Sequence, residues 1–185
     1  MRIITGTHRG KKLLTLEGEQ VRPTTDRVKE SLFNILQFQL EGRRFLDLFA
    51  GSGQIGLEAL SRGAAHCVFV DAAKESVRVV EKNIQSTGLG DRAKVVNLDF
   101  AAYLRTCRER FDIVFLDPPY QGGLLEESLE KIVQFDILRE HGIMICESAA
   151  DWRLPPLQAP YEEGREYRYG KTKLTVCRRS GSVRP

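Results

Sequence analysis

The chain carries the stretch Asp47-Leu48-Phe49-Ala50-Gly51-Ser52-Gly53-Gln54-Ile55-Gly56, in which three glycines separate two predicted elements. The apolar residues before it, at 44–48, predict a buried strand, and residues 54–62 predict a helix. Glycines at such a junction permit a tight turn and let the backbone approach a ligand closely. Their spacing, Gly-x-Gly-x-x-Gly, is typical of the nucleotide-binding turn of a Rossmann-like α/β fold.

Strands and helices alternate along most of the chain. Predicted strands lie at 44–48, 66–70, 93–97, 112–116 and 143–147, with predicted helices at 54–62, 73–87, 100–107 and 124–135. This alternation predicts βαβ units, a mostly parallel sheet and helices on both faces of it. Two further strands flank Gly170-Lys171 as a hairpin. We therefore expect seven strands, the last of them antiparallel.

The 185 residues fit a single domain, 1–185. Short strands at 2–4 and 11–14 predict a small β-hairpin arm within residues 1–20. Residues 21–42 hold a predicted helix that begins at Thr24 or Thr25, either of which can cap it. The Rossmann-like core then covers 43–178, and we expect residues 179–185 to form a disordered tail.

Composition excludes several classes of protein. Hydrophobic residues make up 42% and charged residues 29% of the chain, as in ordinary globular proteins. No apolar run is long enough to cross a bilayer and no secretory signal opens the chain, so we expect a cytoplasmic monomer. The four cysteines, Cys67, Cys107, Cys146 and Cys177, lack the spacing of a metal site, so we expect none.

Charge is distributed unevenly. Residues 1–30 carry a net charge of +3 and residues 165–185 one of +6, whereas residues 31–164 carry −6. Basic ends around an acidic centre indicate a polyanionic partner contacted by the termini. Solvated surface charge is the alternative interpretation.

Three acids lie at or just after the ends of successive predicted strands. The glycine turn alone fits NAD as well as S-adenosylmethionine. Asp47 would repel a pyrophosphate but attract the ammonium and sulfonium groups of S-adenosylmethionine. Asp71 is placed to accept ribose hydroxyls, and Asp99 to accept the adenine amino group. Asp47 as a structural cap and Asp99 as a helix N-cap remain open alternatives.

A second motif, Asp117-Pro118-Pro119-Tyr120, follows the buried strand at 112–116. Ligands of open α/β sheets bind beyond the carboxyl ends of strands. The Asp117 carboxylate and the Pro118 carbonyl are candidate acceptors for the two N–H groups of an exocyclic amine, and Tyr120 would stack on the ring that bears it. The alternative is a Pro-Pro turn with a structural role alone.

These motifs resemble motif I and the D/N-P-P-Y motif of S-adenosylmethionine-dependent amino-methyltransferases. With Arg2-Ile3-Ile4, Arg9-Gly10-Lys11-Lys12-Leu13 and residues 22–34, the chain is similar to the bacterial 16S rRNA (guanine-N2)-methyltransferases. The resemblance implies methyl transfer to the exocyclic N2 of one guanine within the small ribosomal subunit. It implies cofactor contacts by Thr24, Thr25, Asp47, Phe49, Ala50, Gly51, Gly53, Asp71, Asp99 and Phe100, and RNA phosphate contacts by Arg2, Arg9, Lys11, Lys12 and Arg22.

Three other functions stay open from the residues themselves. The D/N-P-P-Y motif also serves DNA or protein amine methyltransferases that act on adenine N6 or glutamine N5. The spacing of Gly51, Gly53 and Gly56 alone would suit an NAD-dependent oxidoreductase. A non-catalytic RNA-binding module on the same fold is the third.

Overall fold

A computed structural model describes residues 1–16, 26–120 and 122–181. Its helices are α1 (Asp26–Ile35), α2 (Gln54–Ser61), α3 (Lys74–Thr87), α4 (Phe100–Thr106) and α5 (Leu124–Phe135). Its strands are β1 (Arg44–Asp47), β2 (His66–Asp71), β3 (Ala93–Asn97), β4 (Phe111–Leu116), β5 (Leu138–Ala149), β6 (Tyr161–Tyr169) and β7 (Thr172–Arg179). None of the helices in this part of the chain is long and apolar enough to span a membrane.

The strands form a seven-stranded sheet of order β3-β2-β1-β4-β5-β7-β6. β2 pairs in parallel with β1 and β3, and β4 pairs in parallel with β5. β7 runs antiparallel to both β5 and β6. The predicted Rossmann-like class I methyltransferase fold, a mostly parallel sheet with an antiparallel last strand, is confirmed.

The described residues form two compact units, Met1–Asp99 and the chain from Phe100 onward. The first holds α1 to α3 and β1 to β3, and the second holds α4, α5 and β4 to β7. A single domain over 1–185 stays a prediction.

In the first unit, α2 lies close against β2 because one of its residues has no side chain. A Cβ atom at Gly56 would come within 2.3 Å of the Phe69 ring and 2.7 Å of the Cys67 sulfur. The third glycine of the motif therefore serves helix–sheet packing. Cys67, like Cys146 and Cys177, is a buried free thiol in a strand, as its sequence context predicts.

The N-terminal arm (residues 1–16) folds back on itself with less β-structure than predicted. Arg2 and Lys12 form one isolated antiparallel bridge, flanked by N–H bonds from Ile3 to the Lys11 carbonyl and from Leu13 to the Met1 carbonyl, each at 3.0 Å, so the predicted hairpin is present with shorter strands. The ladder stops after Ile3 because the next backbone N–H groups turn to α2. Those of Ile4 and Thr5 donate to the Glu58 carboxylate at 2.7 and 2.9 Å.

Glu58 is fully buried, and its carboxylate contacts the arm, Arg62 and Lys29. Besides the arm, it accepts the Arg62 Nε–H at 2.8 Å from the next turn of its own helix. The fully buried Lys29 of α1 places Nζ 3.6 Å from a Glu58 oxygen and donates to the Arg2 carbonyl at 2.7 Å. Burial lowers the pKa of Lys29, and the neighbouring Glu58 carboxylate opposes that shift. Glu58 therefore ties the arm, α1 and α2 together.

The disordered tail predicted for residues 179–185 includes Arg179, which the structure places in the last strand of the second unit. Arg179 lies in β7, and its guanidinium donates to both Asp136 oxygens at 2.7 and 3.1 Å. Asp136 also accepts the Tyr161 hydroxyl at 3.0 Å. The prediction was wrong at Arg179 because its partner lies 43 residues earlier in the chain. Of the predicted tail, residues 182–185 lie outside the described residues.

Replacing Glu58 with alanine is expected to lower the free energy of unfolding by about 3–5 kcal/mol, because it leaves the buried Lys29 ammonium without its carboxylate. Urea denaturation followed by circular dichroism measures this. Glu30→Ala, an exposed change on α1, is the matched control and should lie within about 0.5 kcal/mol of wild type. A loss below about 1 kcal/mol for Glu58→Ala would contradict the role assigned to the carboxylate.

Candidate functional site

The glycine turn follows the carboxyl end of β1. Gly51 and Gly53 have φ angles of 53° and 78°, a left-handed conformation that favours glycine. The turn is held by N–H bonds from Ala50 to the Val70 carbonyl at 2.9 Å and from Gly53 to the Ala50 carbonyl at 2.7 Å. A Cβ atom at Gly51 would meet no atom within 4 Å. The backbone there borders open space, as a ligand-binding turn requires.

Asp47 lies beneath this turn and is only 1% exposed. One of its carboxylate oxygens accepts the Gly56 backbone N–H at 3.0 Å, in the first turn of α2. This bond supports the structural-cap interpretation, since a carboxylate near a helix N-terminus is stabilising. A direct contact between Asp47 and a cofactor stays a prediction.

Asp71, at the end of β2, joins the glycine turn to the next loop. Its two carboxylate oxygens accept the backbone N–H groups of Gly51 and Ala73, each at 2.8 Å. Each carboxylate oxygen has two lone pairs, so one on each remains for a ligand hydroxyl. The half-buried carboxylate is therefore held in a fixed orientation beside the turn.

Asn97 holds the same edge from β3. Its side-chain amide donates to the backbone carbonyls of Asp71 and Ala72, each at 3.0 Å. The sequence patterns do not single out Asn97, although its place at a strand end beside Asp71 is a usable signal. Asp99 is exposed just before α4, and Phe100, the first residue of α4, is half-buried. Of the other predicted cofactor residues, Phe49 is half-buried and Ala50 is buried.

Asn83 of α3 is a buried polar residue that the sequence patterns miss. It is fully buried, and its side-chain NH₂ donates to the Ser52 carbonyl at 2.9 Å and the Leu14 carbonyl at 3.1 Å. Its side-chain oxygen accepts the Leu14 N–H at 2.8 Å. One amide thus fixes the N-terminal arm to the glycine turn. The available signal is an asparagine between Val80 and Ile84 on the apolar face of α3.

The arm presents cations. Four predicted RNA-binding residues are exposed on it: Arg2, Arg9, Lys11 and Lys12. Arg2 and Lys12 lie opposite one another in the bridge, where like charges are unfavourable without a counter-charge. The remaining predicted residues of this region, Arg22, Thr24 and Thr25, lie outside the described residues.

The Asp-Pro-Pro-Tyr turn follows β4, in which every residue is buried. Asp117 is half-buried and Pro118 is buried, whereas Pro119 is exposed and Tyr120 is 45% exposed. The turn is thus anchored at its start and presents its aromatic ring to the surface.

A pocket in the second unit opens beside this turn. Its walls come from the turn, the start of α5, the end of β5 and the segment after it; they include Pro118, Tyr120, Glu126, Glu147 and Trp152. The Trp152 indole N–H donates to the Glu126 carboxylate. The sequence patterns do not point to Glu147 or Trp152, because no local motif marks the residues at the end of β5 or after it as pocket residues.

Comparisons with known proteins agree with this geometry. The family model described as Conserved hypothetical protein 95 matches residues 1–178. A candidate rRNA methyltransferase of Bacillus subtilis (strain 168), YlbH, is 38% identical over 184 residues, which cover 98% of this chain and 100% of that protein. The ribosomal RNA small subunit methyltransferase D of Escherichia coli (strain K12) is 36% identical over 179 residues, 97% of this chain and 90% of that protein.

A solved structure is also similar over the whole chain. The candidate methyltransferase yhhF from Escherichia coli superposes with a TM-score of 0.89 at 36% identity, covering 98% of this chain and 99% of that one. Both the sequence match and the fold therefore extend from the arm to the last strands. The chain belongs to the family described as Conserved hypothetical protein 95, together with relatives named as small-subunit rRNA methyltransferases.

Proposed function

We propose that the protein transfers a methyl group from S-adenosylmethionine to the exocyclic N2 of a guanine in 16S rRNA of the small ribosomal subunit. The observation that carries this proposal is the Asp117-Pro118-Pro119-Tyr120 turn at the carboxyl end of a fully buried parallel strand, in a family with members named as rRNA methyltransferases. Such strand ends are where Rossmann-like sheets bind ligands. A ribosomal substrate implies a cytoplasmic enzyme, and we expect it to act as a monomer.

The residues of the glycine turn fit S-adenosylmethionine. This cofactor supplies an electrophilic methyl group on a sulfonium centre. Gly51 leaves space for the approaching ligand, and Asp71 is held in place to accept ribose hydroxyls. Asp47 and Asp99 add negative charge that favours a cationic cofactor over a pyrophosphate, which argues against NAD.

The Asp-Pro-Pro-Tyr turn would prepare the amine. An exocyclic base amine is a weak nucleophile because its lone pair is delocalised into the ring. Asp117 and the Pro118 carbonyl would accept its two N–H groups and favour a tetrahedral nitrogen, while the exposed Tyr120 ring stacks on the base. Asp117 need not be a strong base, since the amine proton becomes acidic only after methyl transfer. Most of the rate gain would come from alignment.

The N-terminal arm would hold the RNA backbone. Its four exposed cations suit phosphate contacts, which position a substrate without reading its sequence. Because Glu58 and Asn83 fix the arm to α2 and to the glycine turn, a phosphate bound there has a defined position relative to the cofactor turn.

Amine methylation of adenine in DNA or of glutamine in protein is the second candidate, favoured by the same Asp117–Tyr120 turn. Competition between unmodified subunits, DNA and protein substrates for the labelled methyl group distinguishes the candidates.

The test of the proposal is incubation of the enzyme with labelled S-adenosylmethionine and small subunits that lack the modification. We expect one labelled guanine, located by mass mapping. Asp117→Ala should lower this transfer about a hundredfold or more and leave cofactor affinity unchanged, because Asp117 is assigned to the amine alone. Asp151→Ala, an exposed change in the same unit, should be active. Absence of label from guanine contradicts the proposal, and parallel loss of cofactor binding contradicts the role of Asp117.

Asp71→Ala is expected to weaken S-adenosylmethionine binding about tenfold or more, because it removes both the ribose acceptor and the two amide bonds that hold the loops. Isothermal calorimetry measures the dissociation constant. Asp91→Ala, an exposed acid after α3, is the control. Unchanged affinity in Asp71→Ala would remove this residue from the cofactor site.

Neutralising Lys11 and Lys12 together should weaken RNA binding and reduce the slope of log K against log salt by about 1.5, as expected for two lost phosphate contacts. Titrations of rRNA at several salt concentrations give the slope. The double variant Arg105→Ala/Arg108→Ala makes the same charge change at two exposed residues of the second unit and should keep the slope. An unaltered slope in the lysine variant would exclude the arm from the interface.

A further inference from the structure

The pocket beside the Asp-Pro-Pro-Tyr turn is lined partly by aromatic and proline rings. Tyr120, 45% exposed, the half-buried Trp152 and Pro118 all contribute to its lining. Aromatic and proline faces at such a site suit a planar ring, because base–aromatic stacking needs only a π-face. Trp152 is held by its hydrogen bond to Glu126, so this wall is preorganised.

The polar lining of the pocket is acidic. Glu147 lies near the end of β5, where it pairs with Leu174 of β7. It lines the pocket and is only 5% exposed. Glu126 is the other charged lining residue, and the described part of the lining contains no Lys, Arg or His. A phosphate is therefore disfavoured here. A ligand that brings hydrogen-bond donors is favoured, because carboxylate oxygens accept hydrogen bonds from such donors.

We propose that this pocket receives the Watson–Crick edge of the target purine and that the Glu147 carboxylate selects guanine by accepting its N1–H. The inference deepens the proposed function and rests on it. Guanine carries N1–H beside its N2 amine, so an amine held at Asp117 and Pro118 brings a second donor towards the same pocket. Adenine has a lone pair at N1, which a carboxylate repels. Glu147 is thus a specificity-determining residue.

The chain offers a direct probe of this pocket, since Trp152 is its single tryptophan. The full-length protein with S-adenosylhomocysteine is titrated with four nucleosides, and quenching of Trp152 fluorescence is measured. Guanosine and inosine carry N1–H, whereas adenosine and 2,6-diaminopurine riboside do not. We expect guanosine to bind about tenfold more tightly than 2,6-diaminopurine riboside, and inosine about tenfold more tightly than adenosine, the effect of one hydrogen bond to a charged group within each matched pair.

Glu147→Gln should weaken guanosine binding about tenfold and abolish the ranking, because an amide can donate to a purine N1 as well as accept from it. S-adenosylhomocysteine affinity should stay unchanged. Glu127→Gln, an exposed acid on α5 that pairs with Lys131, makes the same chemical change outside the pocket and should keep the wild-type ranking.

Three results would overturn the inference: no saturable quenching of the wild-type protein by guanosine, equal affinity for the four nucleosides, or a preserved ranking in Glu147→Gln. The first two need no variant, so a misfolded variant does not block the test. Methyl transfer to small subunits is assayed in parallel. Label in the subunits without a nucleoside ranking refutes the role of Glu147 alone, whereas a ranking without label refutes the rRNA substrate.

Discussion

The first unit depends on the buried carboxylate of Glu58, which accepts hydrogen bonds from more than one element. Glu58 has no exposed surface, yet it accepts hydrogen bonds from two backbone amides of the arm and from Arg62, with Lys29 alongside. A buried carboxylate is costly unless its lone pairs are satisfied. The arm therefore has one stable position, the one in which Ile4 and Thr5 reach α2. The same helix begins at the glycine turn, where Asp47 accepts the Gly56 N–H in the first turn of α2.

A second buried side chain fixes the arm to the glycine turn. Asn83 bonds both to the arm and to the Ser52 carbonyl of the glycine turn, so neither moves without the other. Effective catalysis by alignment requires such fixed relative positions, because small misplacements of reacting groups are costly in rate. If the arm binds RNA as proposed, its attachment would define where a bound phosphate lies relative to the glycine turn.

Local signals sufficed for the sheet, the glycine turn and the Asp117–Tyr120 turn, because each is encoded by adjacent residues. The bonds that fix these parts were not predictable from pattern. Glu58 has the helical context of an ordinary surface acid, and its arm partners are 54 and 53 residues away. Asn83 reaches Leu14 across 69 residues.

The cations of the arm and the acids of the two candidate ligand sites lie in different parts of the sequence. Acids lie at the glycine turn and line the pocket beside the Asp-Pro-Pro-Tyr turn, so each place favours donors or cations and disfavours phosphate. An RNA chain carries a phosphate beside every base, and its backbone must be held elsewhere. In the function proposed above the arm would supply that place, with cations that lie opposite one another at the bridge of Arg2 and Lys12. The basic start and acidic centre of the sequence would suit this proposed division: the centre would accept a donor-rich base and a sulfonium cofactor, while the arm would neutralise the polyanion that carries the base.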